Sequence, residues 1–142
     1  MVTVTFDQVQ FQANGDTAPG YLSKPEGGGP FPGIVLIQEW WGVDDHIKDV
    51  ARRLAAEGYA VLAPDLFHGE VTNEPTEAMK LTQEMDRDRA TKELNGAVTY
   101  LRTQSFSSGT VGITGYCLGG GLSLTTACGN SDINACVVNY GG

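Results

Sequence analysis

The sequence predicts an α/β fold, a mainly parallel β-sheet with helices on both faces. Three observations carry this. Apolar runs of strand length at Ile34–Ile37, Tyr59–Ala63 and Ile133–Asn139 have the pattern of strands buried on both faces. Between them fall stretches with helical spacing, such as Ile47, Val50, Ala51 and Leu54, then Leu94, Ala97, Val98 and Leu101. Finally, Val111–Ser123 runs from an apolar strand through Gly115-Tyr116-Cys117-Leu118-Gly119 into a stretch rich in small residues. There a strand must turn at once into a helix.

Taken in order, Val2–Phe6 and Val9–Phe11 alternate as strand or hairpin, and Asn14-Gly15-Asp16 is a turn signal. Gly20–Lys24 is the returning strand, and Pro25–Pro32 is a glycine-rich surface loop. Ile34–Ile37 leads into the polar and aromatic loop Gln38-Glu39-Trp40-Trp41-Gly42. Asp44 or Asp45 can cap the next helix, and Gly58 is placed to stop it. Tyr59–Ala63 is the next strand, ended by Pro64-Asp65. Glu74–Gln104 reads as mostly helical, with the Asp86-Arg87-Asp88-Arg89 run a solvated face or a break between two helices. Ser107-Ser108-Gly109 reads as a loop, Thr110–Thr114 as a strand, and Leu118–Cys128 as the helix that follows. Cys128 and Cys136 read as core residues.

Bulk properties narrow the function. A chain of 142 residues suits one domain with a real core. A composition that is 41% hydrophobic and 18% charged is that of a soluble globular protein. A net charge of −8 argues against a nucleic-acid or anionic-membrane surface. No apolar run approaches the roughly 20 residues of a membrane span, and no basic-then-apolar leader opens the chain. Three cysteines with no short Cys-x-x-Cys pair suggest reduced thiols and a cytoplasmic location. His46 and His68 have no Cys or His at ligand spacing, so a metal site is not expected.

The Gly115–Gly119 stretch has the Gly-x-nucleophile-x-Gly pattern of a nucleophile elbow, with Cys117 at its centre. Such a turn holds its middle residue at positive φ and brings its neighbours against adjacent backbone, which favours glycine two residues to either side. It lifts the sulfur to the N-terminus of a helix, where N–H groups favour a thiolate and a developing oxyanion. In parallel sheets the site lies beyond the carboxyl ends of the strands, and Glu39, Asp65 and Cys117 all follow strands at that edge.

With these residues placed, the chain resembles the dienelactone hydrolase family of α/β-hydrolases. The resemblance rests on Gln38-Glu39-Trp40-Trp41-Gly42, on Asp45-His46-Ile47 leading into Asp49-Val50-Ala51-Arg52-Arg53-Leu54-Ala55, on Leu62-Ala63-Pro64-Asp65-Leu66, and on Gly115-Tyr116-Cys117-Leu118-Gly119-Gly120. It implies hydrolysis of small-molecule lactones or carboxylic esters through a Cys-His-Asp triad, with no metal or organic cofactor. It makes Cys117 the nucleophile and Glu39 the carboxylate that accepts the thiol proton when substrate binds. The backbone N–H groups of Leu118 and Trp40 would form the oxyanion hole. A carboxylate beside Trp40 and Trp41 would be partly desolvated, and so a better base.

One departure is large. In this superfamily the order is nucleophile, acid, histidine, yet His46 and His68 both precede Cys117. Asp132 is the single carboxylate after Cys117, and it precedes its strand. Residues 1–142 are therefore expected to be the N-terminal portion of one α/β-hydrolase domain, truncated before its last strands. A C-terminal segment or second chain would supply the Asp and His. Two other readings are a catalytically silent relative that binds a ligand or partner at Cys117, and a thiol sensor, for which no resolving cysteine lies close in sequence.

Overall fold

A computed structural model describes residues 2–141. Its sheet has six strands: β1 Val4–Ala13, β2 Asp16–Pro25, β3 Phe31–Ile37, β4 Ala60–Pro64, β5 Ser107–Tyr116 and β6 Ala135–Asn139. Four helices join them: α1 Asp45–Ala56, α2 Pro75–Glu84, α3 Arg87–Thr103 and α4 Leu118–Gly129. The spatial order is β1-β2-β4-β3-β5-β6. β3 pairs in parallel with β4 and β5, and β5 with β6. The N-terminal hairpin joins antiparallel, β1 on β2 and β2 on β4. The sheet is thus mixed, with a parallel centre that carries the strand ends of interest.

Side-chain alternation divides the core into two layers. Val35 and Ile37 of β3, and Ala60 and Leu62 of β4, pack with Ala90, Leu94, Ala97, Val98 and Leu101 of α3 and Leu122 of α4. Leu36 of β3, and Val61 and Ala63 of β4, point the other way, onto Ile47, Val50, Ala51 and Ala55 of α1. Strands covered on both faces need apolar side chains at every position, which is why β3 and β4 read as continuous apolar runs rather than alternating ones.

Caps explain the helix boundaries. Asp44 accepts the Ile47 N–H at the start of α1, and Gly58 takes a φ of 106° just past its end. The Asp86–Arg89 run is a break: Asp86 accepts the N–H groups of Asp88 and Arg89 and starts α3. Three expectations need correction. Val4–Phe6 and Val9–Phe11 belong to a single long strand, β1, whose pairing with β2 carries it through the polar residues between them, while Val2 and Thr3 precede it. Ser107–Gly109 opens β5 rather than forming a loop, because Ser107 pairs with Phe31 ahead of a register shift. Cys128 is exposed rather than a core residue, whereas Cys136 is half-buried and packs against the core.

The margin of the sheet at β6 is apolar. On the α1 side of β5 and β6, a groove of about 480 Å³ is lined by residues that include Ile34, Leu54, Tyr59, Tyr116 and Val137. Val137 is 59% exposed and Val138 40%. At the centre of the sheet the situation is reversed: Leu36 is fully buried against α1. Leu36→Ala should therefore cost about 2–5 kcal/mol through lost burial and the cavity left behind, read as a lower urea midpoint with an unchanged slope.

Candidate active site

The elbow forms where β5 runs into α4. Cys117 is the N-cap of α4, with φ 56° and ψ −114°. For a residue with a Cβ this conformation costs on the order of 1–3 kcal/mol, and the surrounding packing must hold it. The two glycines make the packing possible. A Cβ on Gly119 would lie 2.6 Å from the carbonyl oxygens of Ile37 and Gln38. A Cβ on Gly115 would run into the Gly119 backbone. The first turn of α4 is thereby pressed against the end of β3, where Glu39 and Trp40 begin. Cys117 itself is exposed.

Trp40, Cys117 and Leu118 line one cavity of about 390 Å³, together with Thr82, Arg87 and residues of α4. Leu118 opens α4, so its N–H lacks an intrahelical acceptor. Among the described residues no protein group accepts the N–H of Leu118 or of Trp40. Cys117 and the two residues with unpaired N–H groups thus line one concavity, with Arg87 at its wall.

Glu39 lies to the side of this cavity. Its side chain is 19% exposed, and its nearest charged partner is His46, with Nε2 3.8 Å from Oε1. Among the described residues no hydrogen bond joins it to Cys117. The Tyr140 hydroxyl is shifted above the ordinary tyrosine range by desolvation and by the adjacent charges of Glu39, Cys117 and Tyr116. Its ring centroid lies 6.0 Å from that of Tyr116, although the residue is 72% exposed overall. Tyr140 is not singled out in the sequence, where the strand reads as ending at Asn139. The usable signal is its place just past the strand that neighbours the elbow.

Asp65 does not join the site. Its carboxylate turns onto its own loop and accepts the N–H groups of Phe67 and Gly69. Burial pushes its pKa up against those two bonds. His68 also faces away, bonding Glu93 at 2.8 Å, while Arg89 clamps the same carboxylate and the Leu66 carbonyl. Asp132 pairs with Arg102 at 3.1 Å. These groups have a supporting role. The loop after β4 backs the loop after β3: the buried Gln38 accepts the Leu66 N–H, and the Thr72 N–H donates to the Trp41 carbonyl. Glu93 of α3 pins that backing loop. Among the described residues no group of three His, Cys, Asp or Glu could hold a metal ion, and no helix is long and apolar enough to cross a membrane.

A β-sheet of this order, with a strained Cys at a strand-to-helix elbow, defines an α/β-hydrolase fold. The comparisons with known proteins narrow this. Residues 18–142 match the model of the dienelactone hydrolase family, and the chain belongs to that family. It is 37% identical over 141 residues to Protein usf of Aquifex pyrophilus, covering 94% of this chain and 60% of that protein. It is 36% identical over 140 residues to a protein of Methylorubrum extorquens named "Putative carboxymethylenebutenolidase", covering 94% of this chain and 48% of the relative. Its fold superposes with a TM-score of 0.85 on the crystal structure of a dienelactone hydrolase-like promiscuous phosphotriesterase from metagenomic libraries, at 29% identity. That match covers 98% of this chain and 60% of the other. The chain thus spans about half to three-fifths of the length of these relatives.

The close approach at Gly119 can be tested directly. Gly119→Ala should destabilise the fold by about 1–3 kcal/mol, because backbone carbonyls cannot step aside for the new methyl group. Thermal unfolding would register this as a lowered Tm. In the native protein iodoacetamide should label Cys117 faster than Cys128, although both are exposed. Equal rates would mean that exposure alone governs the thiol.

Proposed function

We propose that this chain carries the nucleophile half of a hydrolase acting on lactones or carboxylic esters, with Cys117 as the nucleophile. The observation that supports this best is the positive-φ elbow at Cys117, at a cavity that Leu118 and Trp40 also line. In this reading the Cys117 thiol passes its proton to Glu39 and its sulfur attacks the carbonyl carbon. The carbonyl oxygen becomes an oxyanion held by the two N–H groups. Collapse breaks the bond to the leaving oxygen, which takes up a proton, and water then hydrolyses the thioester. Arg87 adds positive charge at the cavity wall, in a chain that is otherwise acidic.

The leaving oxygen and the attacking water need a proton carrier. His68 is committed to Glu93, and His46 lies 3.8 Å from Glu39 with its side chain mostly exposed; among the described residues neither histidine bonds Cys117. We therefore assign the triad Asp and His to polypeptide outside these residues, in the same chain or a partner, in keeping with the greater length of the relatives. The alternative is a catalytically silent relative that binds a ligand at the Cys117 cavity. The groove and exposed valines beside β6 are compatible with either, since both readings leave that margin open to association.

Two assays separate these readings. Met1–Gly142 expressed alone should show no turnover of p-nitrophenyl acetate beyond a single acylation of Cys117, and should self-associate through its apolar margin. Cys117-dependent turnover by a soluble monomer would contradict the assignment of the acid and base. In a complete, active form, Glu39→Gln should lower kcat by about 10²–10⁴-fold with a much smaller change in KM. An unchanged kcat would remove Glu39 from the mechanism.

A further inference from the structure

We infer that Asn139 is a positioning residue for the Cys117 elbow, a role that rests on the reading of Cys117 as the nucleophile. Asn139 is the last residue of β6 and lies in register with Tyr116, the last residue of β5. At Tyr116 the chain leaves the sheet, so the ladder between the two strands has no further rung to offer the elbow. Asn139 supplies one from both its main chain and its side chain. Its carbonyl oxygen accepts the Cys117 N–H at 3.0 Å. Its side-chain amide donates to the Gly115 carbonyl at 3.1 Å and to the Thr114 hydroxyl oxygen at 3.1 Å. The acceptor at Gly115 fixes which end of the amide faces the elbow. The Thr114 hydroxyl in turn donates to the Val137 carbonyl at 2.9 Å, tying the network back to β6.

One residue thus grips the peptide groups on both sides of Tyr116, the second of which leads into Cys117. The chain then crosses close over α4: a Cβ on Gly120 would lie 2.6 Å from the Asn139 carbonyl oxygen and 3.0 Å from the Gly141 nitrogen. A strained backbone persists only where its surroundings over-determine it. The Ile37 and Gln38 carbonyls constrain the elbow on its β3 side, and Asn139 does so on its β6 side. Without the amide, Gly115 and Thr114 lose their side-chain tether. The elbow can then relax toward negative φ and swing the sulfur away from the N–H groups at the start of α4.

The test is the rate of iodoacetamide alkylation at Cys117 relative to Cys128 in the folded chain, with circular dichroism as the control for folding. Cys128 is exposed and distant from the tether, so it serves as an internal reference. Asn139→Ala should lower the Cys117-to-Cys128 ratio by about three- to tenfold, the size expected when a thiol leaves a helix N-terminus. Asn139→Asp keeps the shape but replaces the donor by an acceptor, and should lower the ratio as much. An unchanged ratio in either folded variant would overturn the inference. So would equal slowing of both cysteines, which would signify a general structural role. If Asn139→Ala does not fold, Thr114→Val removes the other end of the tether and is read in the same way. Thr114→Ser keeps the hydroxyl and should restore the ratio. The ester assay can fail while this ratio still falls, so the two claims stand or fall separately.

Discussion

The structure depends on one close crossing, the first turn of α4 against the end of β3. Gly119 sits where any side chain would meet the carbonyl oxygens of Ile37 and Gln38. That contact brings the residue after β5 and the residues after β3 together at one end of the sheet, although they are nearly eighty positions apart in sequence. Everything proposed about chemistry follows from it: a sulfur at a helix start, a free N–H beside it, and a second N–H from the neighbouring loop. The backbone strain at Cys117 is tolerated because these contacts, together with the Asn139 hydrogen bonds, leave the turn little freedom to relax.

Around the crossing, the protein is arranged in supporting layers. The loop bearing Glu39 and Trp40 has little regular structure of its own, and the loop after β4 backs it through Gln38 and Thr72. That second loop is held by the Asp65 carboxylate, which gathers two N–H groups, and by Glu93, which bonds both His68 and Arg89. Glu93 is nearly buried, and a buried carboxylate is tolerable only when its oxygens are satisfied. Asp65, which follows a strand at the site's edge of the sheet, and His68 therefore serve the scaffold.

Much of the fold was legible in the sequence because the parallel core strands are covered on both faces and so are continuously apolar. The elbow was legible for a different reason: its glycines are demanded by contacts that no other residue could make. The sequence was less informative where tertiary pairing overrides local signals. Ser107–Gly109 looks like a turn and is strand because Phe31 lies beside it. Asp65 follows a strand at the correct edge, yet its carboxylate turns back on its own loop, a choice of rotamer that spacing does not encode. His46 near Glu39, and Tyr140 against Tyr116, depend on how the loop after β3 and the end of β6 are placed. Neither segment has a periodic pattern that would place its side chains.

The central claim is that geometry, rather than exposure, makes Cys117 the nucleophile. Acyl transfer tests it most directly. After incubation of the folded protein with p-nitrophenyl acetate, peptide mapping should find the acetyl group on Cys117 as a thioester, with p-nitrophenolate released in equal amount. Cys128, which is also exposed but sits at the far end of α4, should remain unmodified. Acetylation of both cysteines to the same extent, or of Cys128 alone, would contradict the account.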